Sequence, residues 1–205
     1  EAVVVAAGHQ PALCGGPLFV VFKLMSAIGV CRTLNALGGP SFVPVFWNGS
    51  EEHNPAEFGR LTVFDREHDQ QHITLRGLPE GRMAAATPIR TVQDALHALQ
   101  EQLPDTEFLP DLAAQLSACA QGDLGEMVTR LALQWFGAEG LVVVEPRMLR
   151  ALAVPVIRPA LEDPAAAQAC LAADSDHMRG LGFDPPLPYA ETNRTLVYRL
   201  EDGQR

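Results

Sequence analysis

Val3-Val4-Val5-Ala6-Ala7-Gly8-His9-Gln10-Pro11-Ala12-Leu13-Cys14-Gly15-Gly16-Pro17-Leu18, followed by the apolar run Phe19 to Ile28, decides the fold. A short β-branched run ends in glycine, a loop with His9 and Gln10 follows, and Gly15-Gly16-Pro17 opens a long helix. This is the pattern of a strand-loop-helix ligand site. Pro17 suits the first helical position, where its missing N–H would have had no partner. Gly8, Gly15 and Gly16 let backbone amides approach a ligand closely, and the helix start attracts an anion. Neither common nucleotide fingerprint fits. No glycine recurs between Gly8 and Gly15, and Gly16 is followed by Pro17 rather than by Lys and Ser or Thr.

Working outward, residues 2 to 6 are apolar on both faces, as a central parallel strand would be. The helix from Pro17 to about Leu37 is apolar almost all round, which predicts burial on more than one side. It ends at Gly38-Gly39-Pro40. Phe42 to Trp47 reads as a second strand, completing a β-α-β unit. Pro44 lacks a ladder donor and suggests a sheet edge or the first residues of the strand. The acidic loop Asn48-Gly49-Ser50-Glu51-Glu52-His53-Asn54-Pro55 comes next. In open α/β sheets ligands sit beyond the carboxyl ends of the strands, so this loop and the loop at Gly8 to Gly16 should line one crevice.

Leu61 to Phe64 and His72 to Leu75 alternate polar and apolar residues around a charged turn, the signature of an inserted hairpin. Thr91 to Leu103, Pro110 to Ala120 and Leu124 to Phe136 carry helical spacing, with a start signal at Asp123 and Glu126. Gly140 to Pro146 reads as a third buried parallel strand, Arg147 to about Leu161 and Ala165 to Arg179 as helices, and Leu196 to Tyr198 as a last short strand. The expected organisation is α/β: residues 1–60 form the first half of a parallel-sheet core with the ligand loops. Residues 61–121 form a connecting insertion, and 122–205 continue the core.

At 205 residues and 47% hydrophobic content, the chain has material for a real core. A net charge of −10 argues against binding a phosphate backbone, so nucleic acid is not an expected partner. The four cysteines are scattered, which fits reduced thiols and a cytoplasmic setting. The apolar run from Leu18 to Val30 is broken by Lys23, Ser26 and Gly29, and no run reaches the roughly 18 to 20 residues of a membrane span, so no membrane partner is expected. The chain begins directly in a strand without Met, and so reads as a piece of something longer.

Lys23 is the first lysine or arginine in the chain and lies in an apolar helix; it should reach Glu51, Glu52 or a bound anion, or else snorkel to solvent. His9 and Gln10 can contact a phosphate or carboxylate, or merely satisfy loop backbone. His53 is a candidate general base beside the Glu52 carboxylate. Asn54-Pro55-Ala56-Glu57 looks like a helix start, which makes Asn54 a cap. His68 and His72 share helical metal spacing but sit in a solvated turn, so no metal is expected. Cys14 has no partner arrangement of a nucleophile, and Trp47 and Trp135 read as core.

These residues carry a resemblance. The Gly8 to Leu18 segment with Lys23 resembles the T-G-Q-Q-x-G-L-x-x-G-P-L…K segment of the bacillithiol biosynthesis cysteine-adding enzymes, the BshC family. Pro44 to Asn54 is similar to that family's P-V-F-W-x-x-x-E-D-H-D, and Gly122 to Pro146 to its T-L-G-x-x-F…G-L-V-x-x-D-P stretch. The resemblance implies a Rossmann-like core, similar to nucleotidyltransferases and class I aminoacyl-tRNA synthetases, and a ligase joining cysteine to the amine of glucosaminyl malate. It also implies a coiled coil and a homodimer in full-length members. Three departures stand out: His9 replaces the first Gln, Glu52 replaces an aspartate, and Asn54 replaces a second one.

On this reading the cysteine carboxylate is activated as an acyl-adenylate or acyl-phosphate, with the nucleotide, ATP or ADP, left open. The Gly15 and Gly16 amides, His9, Gln10 and Lys23 stabilise negative charge, while Glu52 and His53, beside Glu51, orient or deprotonate the amine. Two rivals remain. One is a diverged, non-catalytic ligand-binding or assembly domain. The other is a nicotinamide-dependent oxidoreductase, which would need an acid about 20 residues after the glycine turn, where this chain has Ala27, Ile28 and Gly29.

Overall fold

The computed structural model describes residues 2–185 and 201. Strand β1 (Ala2–His9), helix α1 (Leu18–Ala36) and strand β2 (Ser41–Asn48) form the expected β-α-β unit. β1 and β2 are parallel over their full lengths, from Ala2 opposite Ser41 to His9 opposite Asn48. After an excursion of about ninety residues the chain returns with β5 (Val142–Val144), which pairs in parallel on the far side of β2. The carboxyl ends of all three strands therefore lie along one margin, with His9, Asn48 and Glu145 in a row.

The excursion begins with the one-turn helix α2 (Pro55–Phe58) and the antiparallel hairpin β3 (Arg60–Phe64) and β4 (Gln70–Thr74). Helices α3 (Ile89–Gln102), α4 (Leu109–Cys119) and α5 (Leu124–Phe136) follow. The hairpin and these helices share one core with the sheet: Phe58, Ile73, Leu96, Leu124 and Leu131 are buried in the same cluster as Val20, Leu24 and Phe46. Asp123 caps α5 by accepting a hydrogen bond from the Glu126 amide, as the D-x-x-E signal predicts. Helix α6 (Pro146–Glu162) starts in this unit, which runs to Met148; a second compact unit begins at Leu149 and includes α7 (Pro164–Gly180). The strand expected at Leu196 to Tyr198 lies outside the described residues.

Three expectations are corrected. β1 is not central: among the described residues its only neighbour is β2, and Val3 and Val4 are exposed. β2 is the central strand despite Pro44. Its pairing with β5 starts only at Val45, so at Pro44 the strand has a single neighbour and the missing N–H breaks no second ladder. Helix α1 is buried along one stripe, Val20, Leu24, Ala27, Ile28 and Cys31, and the rest of its apolar surface is open, including Leu18 and Phe22 at 66% and 57% exposure. α1 is nevertheless long and apolar enough to cross a membrane by composition, and its buried stripe faces β1 and β2.

Candidate functional site

The two loops expected to share a crevice meet over the ends of β1 and β2. The Gly49 amide donates to the His9 carbonyl at 2.9 Å. Gln10 Nε2 donates to Glu57 Oε2 at 3.1 Å, and Asn54 Nδ2 donates to the other oxygen of Glu57 at 2.8 Å. Glu57, which the sequence marks only as a helix-start residue, thus straps the glycine loop to the acidic loop. Asn54 is a cap, as its context predicts, accepting from the Ala56 amide at 3.2 Å.

His9 packs edge-on against Phe19 with ring centroids 5.1 Å apart, and its Nδ1 lies 2.7 Å from the Gln10 carbonyl. Lys23 does not reach Glu51 or Glu52. It is exposed, donates to the Gly8 carbonyl at 3.3 Å and stands 5.2 Å from the Phe19 ring centre. The reason is α1's open face, which lets the ammonium leave the apolar surface while its stem stays on it. An open groove of about 620 Å³ runs beside it, lined by Val5, Ala7, Gly8, Phe19 and Phe22.

The glycine loop is built differently from the expectation. Cys14, Gly15 and Gly16 have φ of 58°, 87° and 85°, a left-handed run. The Gly15 and Gly16 amides are occupied by the carbonyls of Ala12 and Leu13 at 3.0 and 3.2 Å, so they shape the turn and are not available to a ligand. A side chain at Gly15 would sit 3.1 Å from the Trp135 ring. We expect Gly15→Ala to destabilise by about 1–3 kcal/mol, from the left-handed backbone and the crowded ring together. Denaturant midpoints would check it. Trp135 is anchored by its indole N–H to Gln115 Oε1 at 3.0 Å, whereas Trp47 is 39% exposed and is not a core residue.

Burial pushes the Cys14 thiol up to about 12, which keeps it protonated at pH 8. Iodoacetamide at that pH should therefore label exposed Cys170 first and spare Cys14 until unfolding, as read by mass spectrometry. His72 is engaged by Arg60 Nη2 at 2.8 Å and Thr62 Oγ1 at 3.0 Å. Among the described residues no group of three His, Cys, Asp or Glu is placed to hold a metal ion.

The Glu52 carboxylate turns back on its own loop, with Oε1 accepting from the His53 and Asn54 amides at 2.9 and 3.0 Å. The loop is held from the side by the Ala84 and Ala85 amides, which donate to the Glu52 and Ser50 carbonyls, both at 2.8 Å. Beneath it lies a polar network built around the buried side chains of Asn48 and Glu145. Asn48 Nδ2 donates to the Gly125 carbonyl and to Thr129 Oγ1, and Thr129 donates to Glu145 Oε1 at 2.7 Å. Glu145, 1% exposed, pairs with Arg147 at 2.6 Å, and Arg147 pairs with Asp123 at 2.8 Å. The Asp123 carboxylate, with Glu145, holds the Arg147 guanidinium above its already high ordinary value. Gly125 permits this contact, since a Cβ there would lie 2.8 Å from that of Ser50. None of these network residues was singled out for chemistry from the sequence. The available signal was a polar residue closing each apolar strand, Asn48 as the last residue of β2 and Glu145 just after β5.

The profile of the family described as bacillithiol biosynthesis BshC, N-terminal Rossmann-like domain, matches residues 1–205. Among curated relatives, proteins named "Putative cysteine ligase BshC" are similar along the chain. The one from Desulforamulus reducens is 26% identical over 100% of this chain and 39% of its own length. The one from Solibacter usitatus is 28% identical over 99% and 39%, and that from Carboxydothermus hydrogenoformans is 32% identical over 70% and 27%. This chain thus spans about two fifths of the length of the first two relatives. With β1, β2 and β5 forming a parallel sheet among the described residues and a family match from first residue to last, the chain belongs to the BshC family, as its N-terminal Rossmann-like domain.

Proposed function

We propose that this domain supplies the reaction crevice of a cysteine ligase, in which the carboxylate of cysteine is joined to the amine of glucosaminyl malate. The observation that carries the reading is the hydrogen bond from Gly49 to the His9 carbonyl, reinforced by the Gln10–Glu57–Asn54 strap. It supports a reading in which Lys23 and His9 on one loop side work together with Glu51, Glu52 and His53 on the other. Lys23, His9 and the start of α1 face the activated carboxylate, whose leaving group is a phosphate or nucleotide. His53, beside Glu51 and with its backbone held by Glu52, takes the proton of the attacking amine. The Gly8 carbonyl orients Lys23, and Gln10 holds the loops together. A cytoplasmic setting and a homodimer of the full-length protein belong to the same proposal, and the free thiols of Cys14, Cys31, Cys119 and Cys170 support the former.

A second reading, a diverged small-ligand-binding domain, is favoured by the fully engaged Gly15 and Gly16 amides and by Glu52 Oε1 being spent on backbone. The full-length protein, incubated with cysteine, glucosaminyl malate and ATP, separates the two. Amide formation matched by nucleotide consumption supports the ligase. Calorimetric binding of the same compounds without turnover supports the second reading.

A further inference from the structure

The cluster beneath the acidic loop has more charge than packing requires. Glu145 and Asp123 share one guanidinium, Arg147, and Glu126 stands 3.9 Å from it. Arg147, Asp123 and Glu126 are partly exposed, but Glu145 is buried at 1% exposure; burying its carboxylate is costly, and a well-packed apolar residue of similar volume would often be no less stabilising. Two further atoms in the same place, Asn48 Oδ1 and Ser50 Oγ, are fully buried without a hydrogen-bond partner among the described residues. Buried polar groups left in that state are uncommon and need a reason. Its location offers one. Asn48 is the last residue of the central strand, and the loop carrying Glu51, Glu52 and His53 springs from it.

We propose that Glu145, Arg147 and Thr129 are positioning residues, which fix the height and direction of residues 49–53 through Asn48 and so aim His53 at its substrate. The proposal rests on the site read above. The linkage is continuous: Arg147 holds Glu145, Glu145 accepts from Thr129, Thr129 accepts from Asn48, and Asn48 also ties to the Gly125 carbonyl at 3.0 Å. Asp123 fixes the other end, since the carboxylate that caps α5 also binds Arg147. The rigid start of α5 and the ends of β2 and β5 therefore set the loop together. None of the three named residues touches substrate in this account. Their effect passes through the backbone at Gly49 and Ser50.

Two variants of near-unchanged shape test it in the full-length protein: Glu145→Gln removes the buried charge, and Thr129→Val keeps the ion pair but cuts its link to Asn48. The first readout is amide hydrogen exchange by NMR. Both variants should speed exchange at Gly49 and Glu52 at least tenfold, while Leu61 and Ile73 in the hairpin keep their wild-type rates. The second is steady-state kinetics of amide formation, in which kcat should fall at least tenfold and the KM for cysteine should change less than twofold. Uniformly faster exchange across the domain, or unchanged exchange at Gly49, would overturn the positioning role. Wild-type protein without turnover would overturn the ligase reading alone, because the exchange result stands independently of it.

Discussion

Phe46→Ala should lower the stability of the domain by about 3–5 kcal/mol, the range for a large aromatic removed from a packed core. Phe46 is 1% exposed in the central strand β2, and its ring lies among Val20, Leu24, Val128, Leu131, Ala132 and Trp135. It is the point where α1, the sheet and α5 converge, so no single element can shift to fill the void. Domains of this size are stable by only about 5–15 kcal/mol, so the variant should be marginal at room temperature. Chemical denaturation followed by circular dichroism would measure the loss. A change below about 1 kcal/mol would mean that the core is not centred on this residue.

On the proposed general-base role, His53→Ala in the full-length protein should reduce kcat for amide formation by about 10²–10⁴, the usual contribution of such a group. Its backbone amide is held by Glu52, and the loop beneath it by Ala84, Ala85 and Asn48, so these backbone anchors stay in place when the imidazole is removed. The melting temperature should therefore stay close to wild type while turnover collapses. Kinetics and calorimetry on the same preparation make the comparison. Full activity would remove His53 from the chemistry.

The β-α-β unit was legible because its signals are local: an apolar run closed by Gly8, Gly15-Gly16-Pro17 before α1, and Asn48 to Pro55 after β2. The caps at Asn54 and Asp123 were legible for the same reason, each being a short side chain three residues or fewer from the amide it accepts. What sequence could not reveal was partnership across distance. Pro44 signals a sheet edge or the first residues of a strand, yet β2 is central because the third strand arrives about ninety residues later and pairs only beyond the proline. The apolar surface of α1 signals burial on more than one side, but the described chain covers a single stripe. The role of Gly15 was misread for a related reason. Its glycine character is demanded by Trp135, a residue 120 positions away, and its amide is consumed inside the turn. The Glu145–Arg147–Asp123 network was invisible because each member reads locally as a strand end, a helix start or a cap.

We propose that the loops after β1 and β2 form one ligand site. Isotope-labelled full-length protein, titrated with cysteine, glucosaminyl malate and ATP, tests it by chemical-shift mapping. Saturating ligands should move the amide resonances of residues 8–10 and 49–53 together, with one shared affinity for each ligand. Shifts confined to one loop, or clustered on the hairpin away from both, would contradict it.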